Sequence, residues 1–259
     1  MADEPARSDT LQSLERGLAV LQVFSREHAR LSLSDVARLT GLTRATARRI
    51  LLTLVHLGFV RADGRTFALT PRVLSLGFGY LSSLNLWEIA EPLMRQLVDE
   101  TDESCSAATL DLPDIVYVAR VPARRIMTIA LAVGSRLPAH ATSMGKVLLA
   151  DLPEHELAAY LASGPFAALT HATITEPDAL RAELARVRAR GWSLVDEELE
   201  MGLRSVAAPI RGADGRTVAA LNLVAAVPRA GLDVLREKYV PLLLRTAEQI
   251  SQAFTQSGQ

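Results

Sequence analysis

The chain has 259 residues, of which 49% are hydrophobic and 22% charged, and its formal net charge at pH 7 is −1. The length suits two domains, and the apolar content excludes disorder over most of the chain, because disordered chains are poor in apolar residues. The sequence shows no basic-then-apolar leader, no apolar run of ~20 residues and no cysteine besides Cys105. These absences exclude secreted, membrane-spanning and disulfide-bonded classes and favour the cytoplasm.

The first elements in the chain are predicted to be two helices. Residues 1–12 are polar, and we expect a disordered tail. Apolar residues then recur at helical spacing over Ser13–Ser25. A shorter helix is predicted over Ser34–Thr40, with Ser34 as its N-cap and Gly41 at its end.

A third helix and a hairpin complete the predicted N-terminal domain. Thr43 is placed to cap the helix, and Gly58 to end it. An Asp-Gly pair at 63–64, between short apolar runs, indicates a hairpin. Two helices, a Gly turn, a helix and a hairpin are the order of a winged helix-turn-helix, which we place over residues 13–70. The alternative is any small helical subdomain.

The third helix carries a polar face opposite its apolar stripe, formed by Arg44, Thr46, Arg48 and Arg49. A helix fits the major groove of DNA, where Arg can pair with guanine and Thr can meet phosphate or a thymine methyl. In the hairpin, Arg61 and Arg65 would contact phosphates beside the major groove. The alternatives are a solvated basic face and, for Arg49, a salt bridge to Glu15.

The charge distribution agrees with a nucleic-acid partner for the first domain. Residues 1–72 contain eleven Arg and no Lys against seven acidic residues, a balance of +4. Residues 73–259 contain 17 basic and 22 acidic residues, a balance of −5. The near-zero net charge is therefore the sum of a basic and an acidic segment, which suit different partners.

Beyond the hairpin we predict a linker helix over 71–87 and a second domain over 88–255. Its predicted helices cover Glu88–Thr101, Leu148–Leu161, Leu180–Arg190 and Val234–Phe254. Its predicted strands cover Cys105–Leu110, Ile115–Val121, Ile126–Val133, Trp192–Val195, Ser205–Ile210 and Val218–Val224. Short turns join several of these strands, so the fold class is α+β, with helices flanking an antiparallel sheet.

Motifs in both domains carry a family resemblance. The first domain contains Ser13-Leu-Glu-Arg-Gly-Leu18, Leu33-Ser-Asp-Val-Ala37 and Gly41-Leu-Thr-Arg-Ala-Thr-Ala-Arg-Arg-Ile-Leu51, and the second contains Leu137-Pro-Ala-His-Ala-Thr-Ser-Met-Gly-Lys146 and Gly202-Leu-Arg-Ser-Val-Ala-Ala-Pro-Ile210. These segments resemble the IclR family of transcriptional regulators. The longer runs Val133–Ala150 and Glu198–Ala207 resemble its PcaR, PcaU and PobR subgroup, which regulates β-ketoadipate-pathway genes.

The resemblance implies a winged helix joined by a linker helix to a GAF-like effector domain. It implies that Thr43, Arg44, Thr46 and Arg48 enter the major groove, that Arg49 faces the DNA backbone, and that Ser32 and Ser34 contact phosphates. It also implies an effector pocket lined by Ile126, Ile129, Ser143, Met144, Val195, Leu203, Ser205, Asn222 and Val224. Arg136 and His140 are the nearest groups able to balance the charge of an acid.

Strand alternation supports part of this pocket independently. Leu203 and Ser205 are two residues apart, as are Asn222 and Val224, so each pair shares a strand face. A mostly apolar lining with a few polar groups suits a small organic ligand. The alternatives are a plain core, in which Ser205 and Asn222 bond to backbone, and a surface salt bridge for Arg136.

Catalysis and metal binding have little support in the sequence. His140, Ser143 and Lys146 lie within seven residues of one another, but no GxSxG motif surrounds Ser143 and no Asp is placed in the sequence to orient the histidine. The five histidines show no metal-ligand spacing. We therefore predict no enzyme activity, no metal and no cofactor, and we interpret Cys105 as a small buried hydrophobic residue.

The predicted function is that of an effector-responsive transcription regulator. It binds a DNA operator as a homodimer, or as a dimer of dimers, and responds to a small aromatic acid or a ring-cleavage product. Two alternatives remain: a regulator of another carbon-source pathway with a different organic acid, and a small-molecule sensor that acts mainly through protein partners.

Overall fold

A computed structural model describes residues 10–25, 27–83, 86–123 and 131–257. They form two compact units, of which the first ends at Ser83. The predicted pocket residues Ile126 and Ile129 lie outside the described residues, as does most of the strand predicted over 126–133. Within the described ranges, no helix combines the length and hydropathy needed to cross a membrane.

The first unit is a three-helix domain with a small antiparallel sheet, followed by one further helix. Its helices are α1 (Gln12–Gln22), α2 (Leu33–Thr40), α3 (Arg44–His56) and α4 (Leu74–Ser83), and its strands are β1 (Leu31–Ser32), β2 (Val60–Asp63) and β3 (Thr66–Leu69). The strand order is β1-β3-β2. Val20, Val36 and Leu51 are fully buried where the first three helices meet. This arrangement confirms the predicted winged helix-turn-helix.

The cap of α2 differs from the prediction. Ser32, not Ser34, is the N-cap: its hydroxyl accepts a hydrogen bond from the Asp35 backbone N–H, and the Asp35 carboxylate accepts one from the Ser32 N–H. Asp35 can make this reciprocal bond because it lies three residues after the cap. Thr43 caps α3 as predicted, accepting from the Thr46 N–H at 3.2 Å.

The second unit is built on a six-stranded antiparallel sheet. Its strands are β4 (Ser104–Asp111), β5 (Asp114–Val121), β6 (Arg136–Pro138), β7 (Ser193–Asp196), β8 (Leu203–Arg211) and β9 (Thr217–Ala226), in the order β6-β5-β4-β9-β8-β7. Its helices are α5 (Leu86–Thr101), α6 (Ser143–Ala150), α7 (Glu154–Leu161), α8 (Pro177–Arg190), α9 (Leu232–Val234) and α10 (Val240–Ser257). The predicted α+β class is confirmed.

Several elements differ from the predicted ones by more than a shift of a few residues at their ends. The helix predicted over 148–161 is two helices, because Pro153 cannot donate a helical hydrogen bond and disfavours helical geometry before it. The linker region holds a 3₁₀ turn over Pro71–Val73 and α4, whereas Trp87 belongs to α5. A π turn over Leu235–Tyr239 joins α9 to α10. The three-residue strand β6 was too short for alternation to reveal.

One face of the larger sheet carries both a core and a cavity. The core packs Ala207, Ala220 and Tyr117 of the sheet against α6, α7 and α8. Two residues further along the same strand faces, the side chains become partly polar: Ser104, Val224, Ser205 and Val195 form one row of paired residues. The opposite face of the sheet is shielded from solvent where Cys105, Leu221 and Leu223 lie, because all three side chains are fully buried.

Candidate functional sites

The exposed face of α3 presents two unpaired arginines. Arg44 and Arg48 are solvent-exposed, and among the described residues neither forms an ion pair. Arg44 is the first residue of the helix, directly after the Thr43 cap. An exposed helix with unpaired guanidinium groups near its N-terminus can fit into the major groove of DNA and bind base edges or phosphates there.

The other predicted DNA contacts take several positions. Thr46 and Arg49 line a groove between α3 and α1, so they lie at the edge of the exposed face. Among the described residues, Arg49 makes no salt bridge to Glu15. Arg61 and Arg65 are exposed on the hairpin, which turns at Gly64 with a φ of 61°.

Ser32 and Ser34 differ in how free their hydroxyl groups are. The Ser32 hydroxyl donates to the Asp35 carboxylate at 2.7 Å and also accepts from the Asp35 N–H. These hydrogen bonds lower the pKa of Asp35. A phosphate contact by Ser32 would therefore compete with the cap of α2, whereas Ser34, on the first turn, makes no such bond in the described part of the chain.

A cavity of about 150 Å³ opens on the sheet face that also carries the core. A single water needs ~15 Å³, so this cavity has room for a molecule of roughly ten non-hydrogen atoms. We call it the sheet cavity. It brings together six residues that the sequence predicted as a group: Ser143, Val195, Leu203, Ser205, Asn222 and Val224. The two strand pairs predicted by alternation do share this face.

The sheet cavity does not include the other three described residues of the predicted pocket. The Arg136 guanidinium is held at the surface by Asp111 and Asp114, which raise its pKa, so the alternative of a surface salt bridge is what the structure has. His140 is buried, with Nε2 at 3.0 Å from the Ala167 carbonyl oxygen. Met144 points into the core cluster of α6.

Asn222 fits both interpretations made from the sequence, that of a core residue bonded to backbone and that of a pocket residue. Its Oδ1 accepts a hydrogen bond from the Ser106 backbone N–H at 3.0 Å, as expected for a core residue. The residue nevertheless lines the sheet cavity. The amide is thus fixed by the neighbouring strand and held at the cavity wall.

Several further cavity residues were missed from the sequence, among them Glu103, Ser104, Tyr117, Arg120, Leu199 and Arg204. Arg120 is the informative one, because an arginine within the apolar run Ile115–Val121 is a signal that something polar faces it. Simple alternation would place Tyr117 and Arg120 on opposite faces. The register of β5 shifts at a bulge, so that Ala107 pairs with Ala119 and Ala108 with Tyr117. The extra residue brings both side chains to the cavity face.

The helix layer over the cavity begins at Ser143. Thr142 caps α6 by accepting from the Gly145 N–H at 3.1 Å. The Ser143 hydroxyl is buried and has no hydrogen-bond partner among the described residues. A buried hydroxyl without a partner is uncommon, since it forfeits its bonds to water. It therefore marks a position where a ligand group can be bound.

A buried ion pair anchors the loop at the cavity rim to α6. Lys146 is fully buried and its Nζ donates to Oε1 of Glu198. Burial lowers the pKa of Lys146 and Glu198 opposes that effect. Leu199, the next residue, lines the cavity. The described residues contain no cluster of His, Cys, Asp or Glu suited to a metal ion.

The family models that match this chain are those of regulators. Residues 13–64 match the IclR helix-turn-helix domain, and residues 78–252 match the bacterial transcriptional regulator IclR C-terminal domain.

Three relatives extend this match. The Pca regulon regulatory protein of Pseudomonas putida is 42% identical over 93% of this chain and 84% of its own length. The p-hydroxybenzoate hydroxylase transcriptional activator of Acinetobacter baylyi is 36% identical over 96% of this chain and 94% of its own. The structure of an IclR homologue from Microbacterium hydrocarbonoxydans complexed with 4-hydroxybenzoate has a TM-score of 0.84 at 26% identity, covering 95% of this chain and 100% of that one.

These matches confirm the family and subgroup resemblance, together with the prediction of a regulator rather than an enzyme. The two matched segments cover both compact units in the order that the motifs indicated. The chain belongs to the IclR family of bacterial transcription regulators.

Proposed function

We propose that this regulator binds a single-ring aromatic acid in the sheet cavity and thereby controls genes for the breakdown of aromatic compounds. The observation that carries the proposal is the mixed lining of the cavity, with apolar Val195, Leu203 and Val224 beside the hydroxyl groups of Ser143 and Ser205. An aromatic ring suits the first set and hydroxyl or carboxylate groups suit the second. The named ligand and target gene of two relatives agree with this class of effector.

A ligand panel tests this function on the full chain. We expect 4-hydroxybenzoate, protocatechuate or a close analogue to raise the melting temperature, because a ligand at ~100 times its Kd adds roughly 2.7 kcal/mol of stability. Sugar acids of other carbon-source pathways serve as the comparison. If sugar acids raise the melting temperature and aromatic acids do not, the proposed aromatic effector is wrong and the protein regulates another carbon-source pathway.

The winged helix is proposed to bind a specific operator in the cytoplasm, through α3 in the major groove and the hairpin on the phosphates. We predict that Arg44→Ala and Arg48→Ala each weaken binding by about 1–3 kcal/mol and relax specificity at one base pair. The measurement uses an operator recovered from a random duplex library, with single base changes introduced one at a time.

The matched control for these variants is Arg181→Ala. Arg181 is an exposed arginine on α8 in the other unit, so its loss changes the net charge equally without touching α3. Equal weakening on every operator sequence would make the tested arginine a phosphate contact. Binding to selected operators no tighter than to bulk DNA would instead favour a sensor that acts through protein partners.

We also propose that the first unit pairs with a second copy of the chain through its exposed leucines. Leu14 and Leu18 on α1 and Leu76 on α4 line an open groove with Leu57. Exposed apolar side chains grouped in this way mark interaction sites. A dimer would place two α3 helices on half-sites about one helical turn apart.

Substitution of two of these leucines tests the pairing. We expect Leu14→Asp with Leu18→Asp to convert a dimer, or a dimer of dimers, to a smaller species in sedimentation velocity and to weaken operator binding. Leu169→Asp, at an exposed leucine of the second unit, is the control. An unchanged sedimentation coefficient would exclude α1 from the interface.

A further inference from the structure

We infer that Arg120 binds the carboxylate of the effector, and that this one unpaired cation among the described lining residues favours a monocarboxylate effector. The inference rests on the proposed function of the sheet cavity and adds the residue that recognises charge. Arg120 lies on β5, at the cavity wall formed by the sheet.

The charges lining the sheet cavity are otherwise neutralised within the protein. The Glu103 carboxylate accepts from Nε of Arg229 at 3.1 Å. The Arg204 guanidinium contacts both oxygens of Asp196, at 2.5 and 3.4 Å. Each of these two lining residues thus has an opposite charge of its own.

Arg120 differs, because no carboxylate among the described residues lies within ion-pair distance of it. Its guanidinium donates to the Ser106 hydroxyl at 3.3 Å, a neutral partner that leaves other N–H groups free. The neighbouring Tyr117 supplies no counter-charge, because burial raises its pKa to about 12 and keeps the phenol neutral. Burial likewise lowers the pKa of Arg120, as expected of a partly desolvated cation without an anionic partner.

A half-buried guanidinium without a carboxylate is suited to an anionic ligand. Its planar fork matches the two oxygens of a carboxylate, and such charge-assisted pairs are the strong ones in a low-dielectric site. One carboxylate neutralises the single positive charge of Arg120. A second carboxylate on the same ligand would enter the cavity without an unpaired cation among the described lining residues, at a desolvation cost that nothing there offsets.

The opposite wall suits a hydroxyl group. The partnerless Ser143 hydroxyl belongs to α6 rather than to the sheet, so it can meet a different part of the ligand from the one Arg120 binds. The two residues together describe a ligand with a carboxylate at one side and a hydroxyl at another. A hydroxybenzoate has this pattern, whereas an aliphatic dicarboxylate does not.

The experiment measures binding of three compounds to the full chain by calorimetry: 4-hydroxybenzoate, its uncharged methyl ester and adipate. The variants are Arg120→Met, Arg120→Lys and Arg136→Met, the last being an arginine outside the cavity. We expect Arg120→Met to weaken 4-hydroxybenzoate binding about 10- to 100-fold and methyl ester binding less than about 3-fold. Arg120→Lys should restore part of the loss, and the wild type should bind adipate at least about 10-fold more weakly than 4-hydroxybenzoate.

Two different failures are distinguishable in this design. If the wild type binds 4-hydroxybenzoate and Arg120→Met binds it equally well, the inference is wrong and the proposed function stands. The same holds if adipate binds as tightly as the aromatic acid. If the wild type binds none of these compounds or the other aromatic acids, the proposed function fails and the inference fails with it. Urea unfolding of Arg120→Met, followed at the emission of Trp87 and Trp192, shows that its second unit is folded.

Discussion

Replacing Gly145 by alanine should destabilise the effector domain by at least about 3 kcal/mol. A Cβ atom on Gly145 would lie 2.1 Å from the carbonyl oxygen of Ala139 and 2.5 Å from its Cα. Both atoms belong to backbone in the buried turn that precedes α6, so no side chain can rotate away to make room. The start of α6, with Ser143 at the cavity, would have to move.

Tryptophan fluorescence measures this effect in the full chain. The two tryptophans, Trp87 and Trp192, both lie in the second unit, so urea unfolding followed at their emission reports that unit alone. Gly231→Ala is the matched control: Gly231 is exposed, its φ is −65°, and a Cβ atom there would have no neighbour within 4 Å among the described residues. We expect that control to cost no more than about 1 kcal/mol. Equal stability of the two variants would contradict the close packing at Gly145.

Replacing Glu198 by glutamine should cost about 3–5 kcal/mol, because it leaves the fully buried Lys146 without an anionic partner. The pKa of Lys146 is already lowered by burial, and loss of the carboxylate lowers it further. The folded state then binds fewer protons than the unfolded state at alkaline pH, so stability of the variant rises with pH. The deficit relative to the wild type should therefore shrink from neutral pH towards the ordinary lysine pKa of about 10.4.

The control for this prediction is the double variant Lys146→Met with Glu198→Leu. Apolar side chains of similar size can replace a buried ion pair at little cost, so we expect the double variant to unfold within about 2 kcal/mol of the wild type. The same fluorescence-detected urea titration applies. A Glu198→Gln protein as stable as the wild type at neutral pH would show that Lys146 does not need its partner.

The elements of the DNA-binding unit were predictable because their signals are local. Thr43 as the cap of α3, Gly41 at the end of α2 and the Asp-Gly turn at 63–64 are confirmed. A helix cap and a hairpin turn depend on residues within about four positions of each other, which the sequence displays directly. The predicted cap of α2 was two residues too late, because the Asp35 carboxylate forms its reciprocal hydrogen bond with Ser32 and not with Ser34.

The sheet cavity was predictable only in part. Alternation correctly paired Leu203 with Ser205 and Asn222 with Val224, because these strands are regular where those residues lie. It failed for Arg120, because the bulge in β5 changes which side chains face the cavity. Arg136 and His140 lie near the cavity residues in sequence, yet partners more than 20 residues away in the chain hold both side chains elsewhere.

The sequence by itself therefore determined the winged helix-turn-helix, the exposed basic face of its third helix and the family, all of which rest on contiguous motifs. Only the tertiary structure decided which charges remain unpaired. The partners of Glu103 and Arg204 are Arg229 and Asp196, and the first of these pairings joins residues 126 positions apart. A charge is free or neutralised according to its neighbours in space. Arg120 could be recognised as an unpaired cation only after the sheet had brought the other charges into place.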